Sequence, residues 1–234
     1  MIPGLTLTIG SIFFMILLLI VYFSQNNKNT IETKLYKYML ITMMFLLITE
    51  VISSVITYYS TDYTIKSYAT RAHWSTAIFW FYFLYFYSIT FVSEISVNSL
   101  KEYVFYSPRT KAITIYTIIV AIIYFFVPFD SLETISYIPG PAAYYILGYC
   151  ASMIVFVIIY TIAHGKNMSI RKKRAIYAQA VLLTAVVVLQ IFFKEIALPT
   201  YIILSSLSCI IYTPGLLGNF FSSSSILNTF SFPP

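Results

Sequence analysis

The run FLLITEVISSVITYY, residues 45–59, is apolar enough to enter a bilayer yet carries one ionisable side chain, Glu50, near its centre. A carboxyl in that setting can hold a proton, accept a cation or tie helices together through hydrogen bonds. On a helix, Ser53, Ser54 and Thr57 fall at i+3, i+4 and i+7 from Glu50, with Thr42 at i−8, so all share one face. An acid at mid-bilayer costs about 3 kcal/mol or more, so this face is expected to turn toward protein or a water-filled space and to mark a functional site.

Other polar stripes accompany it. Tyr82, Tyr85 and Ser88 recur at i, i+3 and i+6; Gln179 and Gln190 fall on one helical face three turns apart; Ser205, Ser208, Cys209 and Tyr212 line another. The ligand- or signal-responsive core drawn from these is Glu50, Ser53, Ser54, Thr57, Tyr82, Tyr85, Gln190 and Ser205. The Ser, Tyr and Gln stripes suit interhelical hydrogen bonding equally well.

Catalytic constellations are not legible. His73 and His164 are read as interfacial residues in separate connectors, which leaves no H-E-x-x-H and no multi-histidine metal cluster. Seven glycines give neither a phosphate-binding P-loop nor G-x-G-x-x-G, and Asp62 and Asp130 lie near different span ends. Lys194 is next to Glu195 in the turn before the last apolar segment, where it cannot form a retinal Schiff base inside a helix. The expectation is a non-enzyme with no metal and no cofactor.

These side chains need a scaffold, and the composition defines it. Of 234 residues, 59% are hydrophobic, 19% aromatic and only 9% charged, with a mean hydropathy of +0.84. Soluble domains carry about 25% charge, so the chain is expected to be an all-α integral membrane protein. Continuous rather than alternating apolar runs exclude barrel strands. At about 20 residues per crossing, seven spans are placed at 5–23, 37–59, 74–93, 112–129, 141–163, 175–193 and 199–217. Residues 1–217 then form a seven-helix bundle, and 218–234 a short disordered tail.

Eleven of the fourteen cations fall in odd-numbered connectors, including the run Arg171, Lys172, Lys173 and Arg174; Lys66, Arg71 and Lys194 fall in even-numbered ones. The positive-inside rule then puts the N-terminus outside and the C-terminus in the cytoplasm. The net charge of +6 is read as a topology and anionic-lipid signal rather than nucleic-acid binding. Cys150 and Cys209, both within apolar segments, do not suggest a disulfide framework.

The segment NNKNTIETKLYKYMLITMMFLLITEVIS, residues 26–53, resembles the entry to the second span in the multi-span N-terminal sensor region of sensor histidine kinases and some diguanylate cyclases of low-GC Gram-positive bacteria. Asn29 or Thr30, Glu32 and the pair Leu35–Tyr36 carry the likeness, and RKKRAIYAQAVLLTAVVVLQIFF is similar to that family's closing helices. The resemblance implies a non-catalytic, multi-pass plasma-membrane signal-input module whose partners are the lipid bilayer and a separate or fused cytoplasmic signalling protein. The signalling linker and effector of that family are missing from the ending YTPGLLGNFFSSSSILNTFSFPP. Two rival expectations stand beside it: a small transporter or immunity-type membrane protein using the Glu50 face, and a structural membrane subunit. Oligomeric state is left open by the sequence.

Overall fold

The computed structural model describes residues 5–24, 31–93, 102, 104–105, 107–129, 141–165 and 170–192. They are helical apart from short turns and contain no strand. Six long helices follow in order: α1 (Leu5–Ser24), α2 (Ile31–Tyr59), α3 (Tyr63–Ser93), α4 (Pro108–Tyr124), α5 (Pro141–His164) and α6 (Ile170–Phe192). The segments Ile31–Tyr59 and Tyr144–His164 are long and apolar enough to cross a membrane. The expected seventh span, the tail and Ser205 lie outside the described residues.

Four helices, α2, α3, α4 and α6, start before their expected spans, α3 by the most. The stretch STDYTIKSYATRAH was read as a connector, but α3 begins at Tyr63. Its start is set by Asp62, whose Oδ1 accepts from the Thr64 N–H at 2.8 Å, while the Asp62 N–H donates to Ser60 Oγ at 3.1 Å. This is side-chain capping of donors that have no intrahelical partner. Only residues 60–62 separate α2 from α3, so the two form an antiparallel hairpin. The helix α4 has a capping box of its own: Ser107 Oγ accepts from the Thr110 N–H, Thr110 Oγ1 accepts from the Ser107 N–H, and Pro108 occupies the first turn. It ends at Tyr124, earlier than the expected 129.

Side-chain contacts fix which helix ends lie together. At one end Tyr63 Oη donates to the Phe129 carbonyl (3.3 Å), joining the α2–α3 turn to the end of α4. At the other, Tyr22 Oη donates to the Thr33 carbonyl (2.7 Å) and Arg109 Nη1 donates to His164 Nε2 (2.9 Å), joining the start of α4 to the end of α5. The six helices therefore run up and down. α3 is the hub, packing against α2, α4, α5 and α6. It is accordingly buried on several sides, through Ala77, Ile78, Trp80, Phe81, Leu84, Phe86 and Ile89. α2 meets it with Leu35, Met39, Met43 and Leu46 at spacings of three and four, the inward stripe of a helix.

The outward faces are no less apolar than the core. Phe13, Leu17 and Ile20 of α1, Phe45 and Ile52 of α2, Ile115, Ile118 and Ile122 of α4, and Ile159 and Ile162 of α5 are all exposed. In water, patches of this extent would drive association. Exposed Tyr58, Tyr59, Tyr63, Tyr68, Phe125 and Phe126 gather around the end that holds the α2–α3 turn.

Candidate functional site

Glu50 lies nine residues before the end of α2, about 14 Å at 1.5 Å per residue, close to half the ~30 Å thickness of a hydrocarbon core. Its carboxyl turns toward α1, where Thr8 Oγ1, itself buried, donates to Oε1 at 3.4 Å. The second oxygen, Oε2, is buried and has no hydrogen-bond partner among the described residues. An unsatisfied buried acceptor costs about 1–3 kcal/mol, so the site is one where a proton or a donor would be taken up favourably.

The neighbouring positions of α2 face α3 instead. Thr49 Oγ1 lies 3.4 Å from His73 Nδ1, and its hydroxyl is within reach of the Phe45 and Leu46 carbonyls at 2.9 and 3.0 Å. Ser53 Oγ is 3.5 Å from Thr70 Oγ1, and Thr57 is buried one turn further on. Ser54 is half-buried. Thr8, Thr49, Glu50, Ser53, Thr70 and His73 thus form a polar seam across α1, α2 and α3. The side-chain contacts Thr8–Glu50, Thr49–His73 and Ser53–Thr70 that bridge helices in it are 3.4–3.5 Å long, against an ordinary 2.7–3.2 Å. These three side-chain bonds are long, so each adds little hydrogen-bond energy against a small shift of the side chains.

His73 corrects an expectation. It was read as interfacial, yet it is 9% exposed, ten residues inside α3 and edge-on to Trp74. The helix continues through this polar stretch because the charge that interrupts the apolar pattern, Arg71, is taken up by another helix. Its Nη1 donates to the Tyr124 carbonyl at 2.6 Å and Nη2 to the Val127 carbonyl at 2.9 Å, both at the C-terminal end of α4. Nε donates to Ser67 Oγ at 3.3 Å, and the Phe129 ring lies 4.5 Å from the guanidinium. A cation on carbonyls left open at a helix C-terminus is favourable.

Tyr82 and Tyr85 do not join Glu50. Tyr85 is twelve residues beyond His73 on α3, about 18 Å along the axis. Tyr82 Oη shares a hydrogen with Thr114 Oγ1 of α4 at 3.1 Å. Tyr85 lines a separate cavity of about 20 Å³ between α3, α5 and α6, walled by Leu84, Met153, Val157 and Leu183 among others, and containing Ser88 and Gln179. Gln179 is 6% exposed, and its Nε2 has no partner among the described residues. Of the expected responsive core, Glu50 and Ser53 lie in the seam, Tyr85 lines the cavity that also holds Gln179, and Tyr82 belongs to neither. Gln190 lies on α6, its side chain outside the described set, as are those of Arg171 and Lys172.

The run Arg171–Arg174, expected in a connector, occupies the first turn of α6. Cations there oppose the helix dipole, so they do not stabilise α6. Among the described residues no group of three or more His, Cys, Asp or Glu is placed to hold a metal ion.

Thr8, Thr49, Thr70 and His73 escaped the sequence reading. A threonine in an apolar helix carries no signal of its own, and its partner depends on how helices pair. No protein-family model matches the chain, and neither a curated protein nor a solved structure matches it.

Proposed function

We propose that the chain is a non-catalytic, multi-pass plasma-membrane module that receives a signal through rearrangement of its helix bundle, with the Glu50 seam as the responsive element. The observation that carries this reading is the Glu50 carboxyl itself: one oxygen held by a 3.4 Å bond from α1, the other buried without a partner. A tight structural anchor would satisfy both oxygens. A loosely held acid between three helices instead supports two packings of similar energy, which a ligand, a proton or a change in the bilayer can bias.

The membrane setting draws support from the apolar outer faces, the aromatic ring around one bundle end and the distribution of charge. Among the described residues, Lys34, Lys37, Arg109, Lys111, Lys173 and Arg174 gather at or near the end opposite the α2–α3 turn, while Lys66 and Arg71 lie near the turn. We infer that the cation-rich end is cytoplasmic, the N-terminus outside, and that a seventh span follows α6. In that arrangement the C-terminus faces a cytoplasmic signalling partner, fused or separate, in line with the resemblance to kinase sensor regions.

The test is a pair of measurements on the purified chain in lipid vesicles: ion and proton flux, and the distance between spin labels at Phe13 of α1 and Phe79 of α3. The proposal expects no flux and a distance distribution that shifts in Glu50→Gln. Flux that Glu50→Gln abolishes would make the protein a transporter. A silent vesicle with an unchanged distance would leave only a scaffold.

A further inference from the structure

The cavity between α3, α5 and α6 has a chemistry that restricts what it can hold. Among the described residues no charged side chain lines it, so an ion would find no direct counter-charge there. Most of its walls are apolar, and its polar members are Tyr85, Ser88 and Gln179. Gln179 is buried, and its amide nitrogen has no acceptor among the described residues. Ser88 Oγ donates its hydrogen to the Leu84 carbonyl at 2.8 Å, so toward the cavity it can only accept. The partner that Gln179 lacks is an acceptor for its amide N–H, and an acceptor that also carries a hydrogen can bond the free lone pair of Ser88 Oγ as well. A hydroxyl group does both, whereas a ketone or an ether does only the first.

We propose that this cavity binds a neutral, membrane-soluble alcohol, its hydroxyl between Gln179 and Ser88 and its apolar chain leaving through the open side of the cavity. At about 20 Å³ the space exceeds the ~10–15 Å³ that one water needs, which suits a hydroxyl head but not a bulky polar group. The chain reaches the site laterally from the bilayer, so the inference rests on the membrane-spanning reading. The site is about 18 Å from the Glu50 level along α3, and it contacts the same hub helix.

The experiment is photolabelling of the full chain in membranes by a long-chain alcohol bearing a diazirine beside its hydroxyl. Labelled peptides are mapped, with unlabelled decanol, decane or decanoic acid as competitors. Membranes are first washed with alkali; a chain released by that wash overturns the membrane reading before any photolysis. The expected result is saturable labelling on α3, α5 and α6 near the cavity, displaced by decanol but not by decane or decanoate. Gln179→Leu should weaken the decanol competition about tenfold, the equivalent of one hydrogen bond. Ser88→Ala, which removes that acceptor together with its bond to the Leu84 carbonyl, should act in the same direction and serves if Gln179→Leu does not accumulate. Labelling that never saturates would mean that the cavity holds water alone, and would overturn the proposal. So would saturable labelling that both substitutions leave unchanged, because the hydroxyl would then not be what is recognised.

Discussion

Glu50 and Arg71 are both charged-type side chains within the helices, and they are held in opposite ways. Arg71 has three donors engaged, two of them at 2.6 and 2.9 Å on backbone carbonyls; Glu50 has one bond of 3.4 Å. Arg71→Met should therefore destabilise the fold by about 2–3 kcal/mol, since hydrogen bonds to a charged group are worth more than neutral ones. Arg71→Lys should recover less than half of that, because an ammonium cannot span both carbonyls as the planar fork does. Thermal unfolding in detergent micelles reads both. Glu50→Gln keeps the shape and the hydrogen-bonding ends, and its melting should move by no more than about 1 kcal/mol equivalent. Glu50→Lys puts a cation where the seam offers no acid, and should prevent accumulation of folded protein. Glu50 was legible because an acid interrupts an apolar run. His73 was not, because the cations Lys66 and Arg71 made its surroundings look like a loop. The run continues as helix because the Arg71 charge is spent on another helix, a long-range fact that local pattern does not contain.

The elements owe their ends to short polar signals. Asp62 starts α3, and Ser107 with Thr110 starts α4. Ser107→Ala should cost about 1 kcal/mol and be seen as earlier amide exchange in the first turn of α4, with the other helices unchanged. Tyr149 crosses between elements: its hydroxyl meets Thr117 Oγ1 of α4 at 3.1 Å and donates to the Ile78 carbonyl of α3 at 3.2 Å. Tyr149→Phe should lose about 1–2 kcal/mol, because Thr117 is left buried beside a ring that can no longer bond it. The existence of the six described helices was readable from hydropathy, whereas the Ser107–Thr110 cap of α4 went unread. The start of α3 was readable in principle from Ser60-Thr61-Asp62, a cap signal that the hydropathy break at Lys66 and Arg71 obscured. What composition could not supply is pairing. That Glu50 meets α1 while Ser53 meets α3 follows from helix rotation about the α2 axis, and the stripe Glu50, Ser53, Ser54, Thr57 spans both directions.

At the scale of the whole molecule, apolar side chains cover both the interior and the outer faces, so burial alone does not distinguish inside from outside. The polar groups make that distinction: the seam at Glu50, the clamp at Arg71 and the cavity at Gln179 all face other helices, and among the described residues the exposed surface between the bundle ends is mostly apolar. Composition foretold a helical, membrane-compatible chain for this reason, whereas the separation of Glu50 and Ser53 from Tyr85 required the packing of α3 against four neighbours. The central claim is that the two bundle ends lie on opposite sides of a membrane. Its most direct test is labelling of single cysteines by a membrane-impermeant maleimide, with Cys150 and Cys209 replaced by alanine. Thr61→Cys, in the exposed α2–α3 turn, should label on intact cells; Glu102→Cys, exposed near the other end, should label only after the membrane is broken. Labelling of both positions from the same side would contradict the account.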